Sequence, residues 1–206
     1  MQTLFDATTI KGKPFKNRLF RSATWERLAD AQGRVTPRLE AVYAQLARGG
    51  VGAILSSATF LSPRSNILPG LLGLCDASYL DGHRRLVGAA HGAGARIFSQ
   101  FSFAGQDGKL WNVADGELAF VRTLPELFAR GAVLAREAGY DGAQIHSAHG
   151  FFLSQFLNPA TNRRDDAYGG EIGNRCRLLL EIYAAMSTVP ESLDRASLPS
   201  TASMTS

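Results

Sequence analysis

Residues Asp141–Arg177 read DGAQIHSAHGFFLSQFLNPATNRRDDAYGGEIGNRCR. The stretch opens as a short buried strand, Ala143 to Ile145, and its C-terminal end delivers two histidines, His146 and His149. A long polar loop follows, and then a new helix begins. Two imidazoles presented at i and i+3 by a strand end suit a catalytic centre. The same H-x-x-H spacing also serves metal ligation, although no carboxylate or further histidine stands at a matching strand end to complete a set. Upstream residues are then scaffold, or partner groups for that centre.

Outward from this stretch, apolar runs alternate with helical patterns. Thr9 to Ser22 reads as two short strands around a Lys-Gly-Lys-Pro turn, with Ser22 to Trp25 ending the second. Thr36-Pro37 is a helix start, with the hydroxyl as cap and proline at the first helical position. That helix carries Leu39, Val42, Tyr43 and Leu46 and stops at Gly49-Gly50. Val51 to Ser57 is a continuous apolar run, as in strands covered on both faces. A loop over Leu61 to Gly73, a helix over Ala77 to Gly94 and a strand over Ala95 to Phe101 come next. After a polar loop, Asp107 to Glu117, a helix spans Leu124 to Gly139 and leads into the strand at 141–145. Alternation of this kind implies right-handed βαβ units and a parallel sheet.

Doubly wound sheets and (β/α) barrels both fit the alternation. No G-x-G-x-x-G follows Leu19-Phe20, which counts against a dinucleotide-binding doubly wound fold. Barrels collect their chemistry at the C-terminal ends of several strands. Thr24, Ala58, Gln100 and the pair His146/His149 each stand at such an end. The barrel reading is preferred.

Bulk properties narrow the function classes. At 206 residues and 45% hydrophobic, the chain can bury a core of one domain or slightly more. The net charge of +4 comes from dispersed basic residues, so no nucleic-acid partner is expected. Cys75 and Cys176 lack C-x-x-C spacing, which argues against a disulfide framework or a structural zinc and for free thiols in a reducing compartment. Neither a secretory signal nor a membrane-length apolar run is visible, so a soluble cytoplasmic protein with no membrane partner is expected.

The stretch quoted above resembles the Old Yellow Enzyme family of flavin oxidoreductases. The resemblance rests on Asn162, Arg164, Asp166, Tyr168, Gly169, Gly170, Asn174, Arg175 and Arg177, which follow that family's N-x-R-x-D-x-Y-G-G and N-R-x-R loop. Before it, His146, His149, Gly150, Phe151, Gln155, Phe156, Leu157 and Pro159 match H-x-x-H-G, an aromatic and Q-F-L-x-P. The match covers roughly Leu4 to Met186 and is weakest between Asp107 and Thr123. It implies an FMN-bearing (β/α)8 TIM barrel that takes hydride from NADH or NADPH and passes it to a small electron-poor acceptor such as an enone or a quinone. On this resemblance His146 and His149 are catalytic, donating N–H groups to an oxygen of the acceptor. Gln100 then meets the pyrimidine edge of the flavin, Thr24 lies near the ring, and Ala58 gives a backbone contact. Arg163, Arg164, Asp165 and Asp166 would otherwise be a solvated charged loop; the family implies a brace that folds the loop back on the barrel.

Two departures stand out. Phe151 occupies a place where many relatives carry a proton-donating tyrosine, and a phenyl ring has no such proton. Phe103 likewise stands where an imidazole is common. Second, the family pattern stops at about Met186, and nearly half of Ser187–Ser206 is Ser or Thr. The expectation is therefore a partial barrel over 1–186, truncated after about four β/α units and preceded by a β-hairpin, with a disordered tail over 187–206. Barrels of this class typically need about 250 residues, and their phosphate sites follow the seventh and eighth strands. Open strand edges would invite pairing, so a homo-oligomer, a complementing C-terminal half or a non-catalytic fragment stands as the alternative.

Overall fold

The computed structural model describes residues 1–189. Two antiparallel strands come first, β1 (Thr8–Ile10) and β2 (Lys13–Phe15), with Ile10 opposite Lys13. Their turn is Lys11–Gly12, at φ of 45° and 78°, the positive values that let a two-residue loop follow the strand twist. The second strand ends at Phe15 and does not run on to Ser22 as expected. Asn17 redirects the chain. Its Oδ1 accepts from Leu19 N at 3.0 Å while its Nδ2 donates to Gly50 O at 2.6 Å. A separate strand follows, β3 (Phe20–Arg21).

The next elements are α1 (Pro37–Arg48), β4 (Ala53–Phe60), β5 (Leu72–Gly73), α2 (Leu80–His91) and β6 (Arg96–Phe101). Then come β7 (Gly105–Gln106), β8 (Lys109–Leu110), α3 (Leu118–Val121), α4 (Leu124–Glu137), β9 (Gly142–Ile145), α5 (Phe152–Leu157) and α6 (Ile172–Ser187). α1 begins as its sequence dictates: the Thr36 hydroxyl accepts from Leu39 N at 3.2 Å, and Pro37 opens the first turn. β4 runs through Phe60, three residues beyond the apolar run that announced it. The expected loops over 61–73 and 107–117 contain β5 and β8, and α5 lies inside the polar loop that follows β9. The helix expected from Ala77 begins as a 3-10 turn, where Asp76 Oδ1 accepts from Ser78 N at 2.8 Å. α6 continues through Ser187, one residue past the expected boundary, and the rest of the expected tail beyond residue 189 lies outside the described residues.

β3, β4, β6 and β9 form one parallel sheet in chain order, and β5 joins the β3 side of β4. A doubly wound sheet reverses its strand order at a switch point. No reversal occurs here, so the described residues follow the (β/α)-barrel pattern. α1 packs on β4, α2 on β6 and α4 on β9, and the neighbours α1–α2, α2–α4 and α4–α6 pack on one another. Along β6 the side chains alternate: Ile97, Ser99 and Phe101 are buried, while Arg96, Phe98 and Gln100 are half-buried. Phe101 meets Phe128 of α4 edge-on at 6.2 Å, so the buried set faces the helices and the other set faces the concave side.

The hairpin closes the N-terminal rim of that concave side. Phe15 is 4% exposed, with ring centroids 5.1 Å from Phe20 and 6.2 Å from Phe98. Polar ties fasten it from outside: Arg96 Nε donates to Pro14 O at 3.1 Å and Lys16 Nζ to Ala93 O at 2.7 Å. Burying one such phenyl contributes roughly 1.5–3 kcal/mol. Among the described residues no helix is long and apolar enough to cross a membrane.

One buried polar link joins α2, β5 and the connection before β9. His83 of α2 is fully buried; its Nε2 donates to Gly73 O of β5 at 2.9 Å, and its Nδ1 accepts from the Tyr140 hydroxyl at 2.8 Å. Burial pushes the imidazole down to about 4, the Gly73 carbonyl offsetting this in part. The unfolded chain therefore protonates His83 near pH 6.5, where the fold still holds it neutral. As pH falls from there toward 4, the fold loses about 1.4 kcal/mol per pH unit through this group. Urea denaturation of wild type and His83→Gln between pH 7.5 and 4.5 checks this. The variant is expected to be less stable at neutral pH and to show a shallower acid dependence.

Candidate functional site

The β6–β9 ladder continues one residue past the strand, because His146 N donates to Phe101 O at 2.8 Å. His146 is thereby held on the sheet and is 7% exposed. Three residues later His149 adopts φ +59° and Gly150 φ +74°. Two left-handed residues in succession fold the chain back, a conformation histidine tolerates better than most side chains. The two imidazoles then stand 5.1 Å apart, inclined at 59°, with His149 on the exposed side. Gln155 of α5 pins the turn. Its Nε2 donates to Gly150 O at 2.8 Å and Trp111 O at 3.2 Å, and its Oε1 accepts from Val113 N at 2.9 Å.

Phe151 lies 5.6 Å from His146, ring to ring. Burial first, then the neighbouring His149, pushes the His146 imidazole below the usual histidine range. At neutral pH His146 is therefore uncharged and offers one N–H and one lone pair. Among the described residues no group of three or more His, Cys, Asp and Glu side chains is arranged to hold a metal ion. The arrangement suits donation to an oxygen.

Ala58 and Gln100 lie opposite each other in register, and Gln144 of β9 completes the row. The β4–β6 register shifts between Leu55 and Ala58, so Ser56 and Ser57 together face Ser99, a bulge that re-aims the end of β4. Gln100 Nε2 donates to Gln144 Oε1 at 2.7 Å. Thr24 stands three residues beyond β3, exposed, its hydroxyl directed to Ser22 O at 3.4 Å. All five expected positions share the C-terminal end of the sheet; Ala58 pairs with Gln100 across β4 and β6, and His146 with His149 ring to ring. Gln144 and Gln155 escaped sequence reasoning as site residues. Gln144 precedes His146 by two residues, and strand alternation alone puts both on one face.

The loop after α5 is a brace. Arg164 forms a salt bridge with Asp166 and donates through Nη1 to Val113 O at 3.1 Å and Gly116 O at 2.5 Å. Arg164 holds the Asp166 carboxyl below the usual carboxylate range. Asn162 Nδ2 bridges Phe156 O and Tyr168 O, each at 2.8 Å, and the Tyr168 hydroxyl donates to Glu181 Oε2 of α6 at 2.9 Å. Gly169 is required here, because a Cβ would sit 1.9 Å from Arg164 O. Arg163 and Asp165 are exposed and belong to the solvated side of the loop. Phe103 lies beneath, 2% exposed, against Trp111, Phe120 and Phe152 at 5.2–5.6 Å.

A family model described as NADH:flavin oxidoreductase / NADH oxidase matches residues 3–119 and 120–190. The NADPH dehydrogenase of Halalkalibacterium halodurans is 33% identical over 202 residues, which cover 90% of this chain and 60% of that protein. That of Listeria monocytogenes serovar 1/2a is 33% identical over 206 residues, covering 92% and 61%. Among solved structures, Old Yellow Enzyme from Pichia sp. AKU4542 superposes with a TM-score of 0.81 at 24% identity, over 89% of this chain and 55% of the other. Morphinone reductase gives 0.79 at 27% identity, over 89% and 58%. The chain spans about 60% of the length of the curated relatives it matches.

Two stability predictions follow from the geometry. His149→Asn keeps stability within about 0.5 kcal/mol, whereas His149→Val loses about 1–2 kcal/mol because a β-branched side chain is strained at positive φ. Arg164→Ala leaves Asp166 and two carbonyls without their donor and costs roughly 3 kcal/mol, and Arg164→Lys recovers less than half of that. Urea midpoints of the four variants measure both effects.

Proposed function

The chain belongs to the NADH:flavin oxidoreductase / NADH oxidase family, and from that premise we propose an FMN-dependent oxidoreductase passing hydride from NADH or NADPH to an electron-poor small molecule. The observation that carries the reading is the His146–His149 pair, 5.1 Å apart, on the same sheet end as Gln100. The Gln100 amide can accept and donate side by side, which suits the imide edge of a flavin's pyrimidine ring. Ala58 offers backbone and little bulk beside it, and Thr24 a hydroxyl at the neighbouring strand end. When bound, FMN supplies the hydride chemistry between nicotinamide and acceptor. The residues described here suit its ring; phosphate sites in barrels follow the seventh and eighth strands.

His146 and His149 donate N–H groups to the acceptor's oxygen and stabilise the negative charge that grows there as hydride arrives. Their donors are preset by the Phe101 backbone and the His149–Gly150 turn, so little reorganisation accompanies the reaction. Phe151 packs against His146 and excludes water from that side, but it holds no proton for a carbon acceptor. An acceptor whose oxygens take up protons from water suits this site better, and quinones are of that kind.

A homo-oligomer, or a second polypeptide completing the sheet, forms the alternative within this reading; it is supported by β9 being an edge strand among the described residues. A cytoplasmic setting fits the free thiols Cys75 and Cys176.

The test is colour and turnover. The purified chain is expected to bind FMN, appear yellow and bleach on addition of NADPH; a colourless product that aggregates would instead support the non-catalytic or complemented alternative. Quinone turnover is expected to exceed cyclohexenone turnover, and equal rates would count against the assigned role of Phe151. Phe151→Tyr is expected to raise cyclohexenone turnover by about 100-fold while leaving the quinone rate nearly unchanged.

A further inference from the structure

Gln100 and Gln144 form a side-chain amide pair across β6 and β9, Gln100 Nε2 donating to Gln144 Oε1 at 2.7 Å. Gln144 is exposed and Gln100 half-buried, on the open side of the sheet. Water competes for such a bond, so it adds little to the stability of the fold. Its effect is on orientation. The terminal torsion of glutamine is broad and roughly two-fold, so a free amide presents its oxygen and its nitrogen interchangeably. Recognition of an imide edge needs one of the two arrangements, and a protein that populates both loses affinity in proportion. With one Gln100 N–H committed to Gln144, the other N–H and Oε1 remain as a donor–acceptor edge of fixed polarity. The backbone beneath is held as well, since Gln100 N donates to Ser56 Oγ at 3.3 Å in the β4 bulge.

We propose that Gln144 is a positioning residue that fixes the amide polarity of Gln100 toward the imide edge of the flavin ring. The proposal rests on the FMN reading above and adds a residue that acts through its hydrogen bond to Gln100. Covering the pair with a flat ring lowers the local dielectric and strengthens the bond, so its effect is felt in the bound state.

The experiment uses the full chain as wild type, Gln144→Leu, Gln144→Glu, Gln100→Leu and the double variant Gln100→Leu/Gln144→Leu. FMN affinity is read by quenching of flavin fluorescence. Gln144→Leu is expected to weaken FMN binding about 5-fold on its own, and less than about 2-fold when Gln100 is already leucine. Gln144→Glu keeps an acceptor for the Gln100 N–H and is expected to stay within about 2-fold of wild type. Equal losses in both backgrounds, no loss at all, or a Gln144→Glu variant as weak as Gln144→Leu would each overturn the proposal. A second readout needs no flavin. The Gln100 side-chain NH₂ signals, identified by their absence in Gln100→Leu, are expected to shift in Gln144→Leu and to keep their place in Gln144→Glu. Unchanged signals in Gln144→Leu overturn the pairing. Failure of the wild type to bind FMN overturns the FMN reading and the proposal's flavin target, whereas the amide signals still report separately on the Gln100–Gln144 pair.

Discussion

Parallel strands joined by right-handed crossovers all point the same way, and where strand order follows chain order each helix returns over the same face. The shared rim of the site follows from that constraint. β3, β4, β6 and β9 run in chain order, so their C-terminal ends form one rim. Thr24, Ala58, Gln100 and His146 are distant in sequence yet share that rim. The opposite rim receives the hairpin, and the convex face receives α1, α2 and α4. The division of labour is set by chain direction before any side chain makes a chemical contribution.

Within the rim, position is transferred by short links. His146 is placed by a backbone bond to Phe101, His149 by a left-handed turn, and the turn by the Gln155 amide. Gln155 in turn contacts Trp111 and Val113, whose carbonyl also accepts from Arg164. The charged loop and the histidines are therefore parts of one connected network. Arg164 is linked to the histidine turn through Val113 and Gln155, so a loop that looks solvated in sequence holds a half-buried arginine–carboxylate pair.

The legible parts of the fold are those whose cause is local. Thr36-Pro37 at the start of α1, the glycines that close α1 and α4, and the apolar runs of β4 and β6 carry their signals within a few residues. β5 and β8 do not. Leu72–Gly73 is a strand because Phe60 and Thr59 lie beside it, and Lys109–Leu110 because Gly105 folds back against it. α5 carries Phe152, Leu153 and Phe156 at helical spacing, but six residues are too few for periodicity to decide, and packing on Phe103 and Tyr168 fixes the helix. For the site, the histidine pair announces itself by residue type at a strand end, whereas Gln100 is an ordinary polar strand residue that only the barrel pattern and the family resemblance raise. Gln144 is an ordinary polar strand residue until the register sets it against Gln100.

The Phe15 seal gives the concave side two unlike ends. Below lies a floor of phenyl rings, Phe15, Phe20 and Phe98; above stand amides and imidazoles. Phenyl rings screen charge less than water does, so dipoles at the upper rim are screened mainly from the solvent side. The hairpin thus acts as an insulator. Phe15, far from the rim in the fold, closes the side opposite the amides and imidazoles.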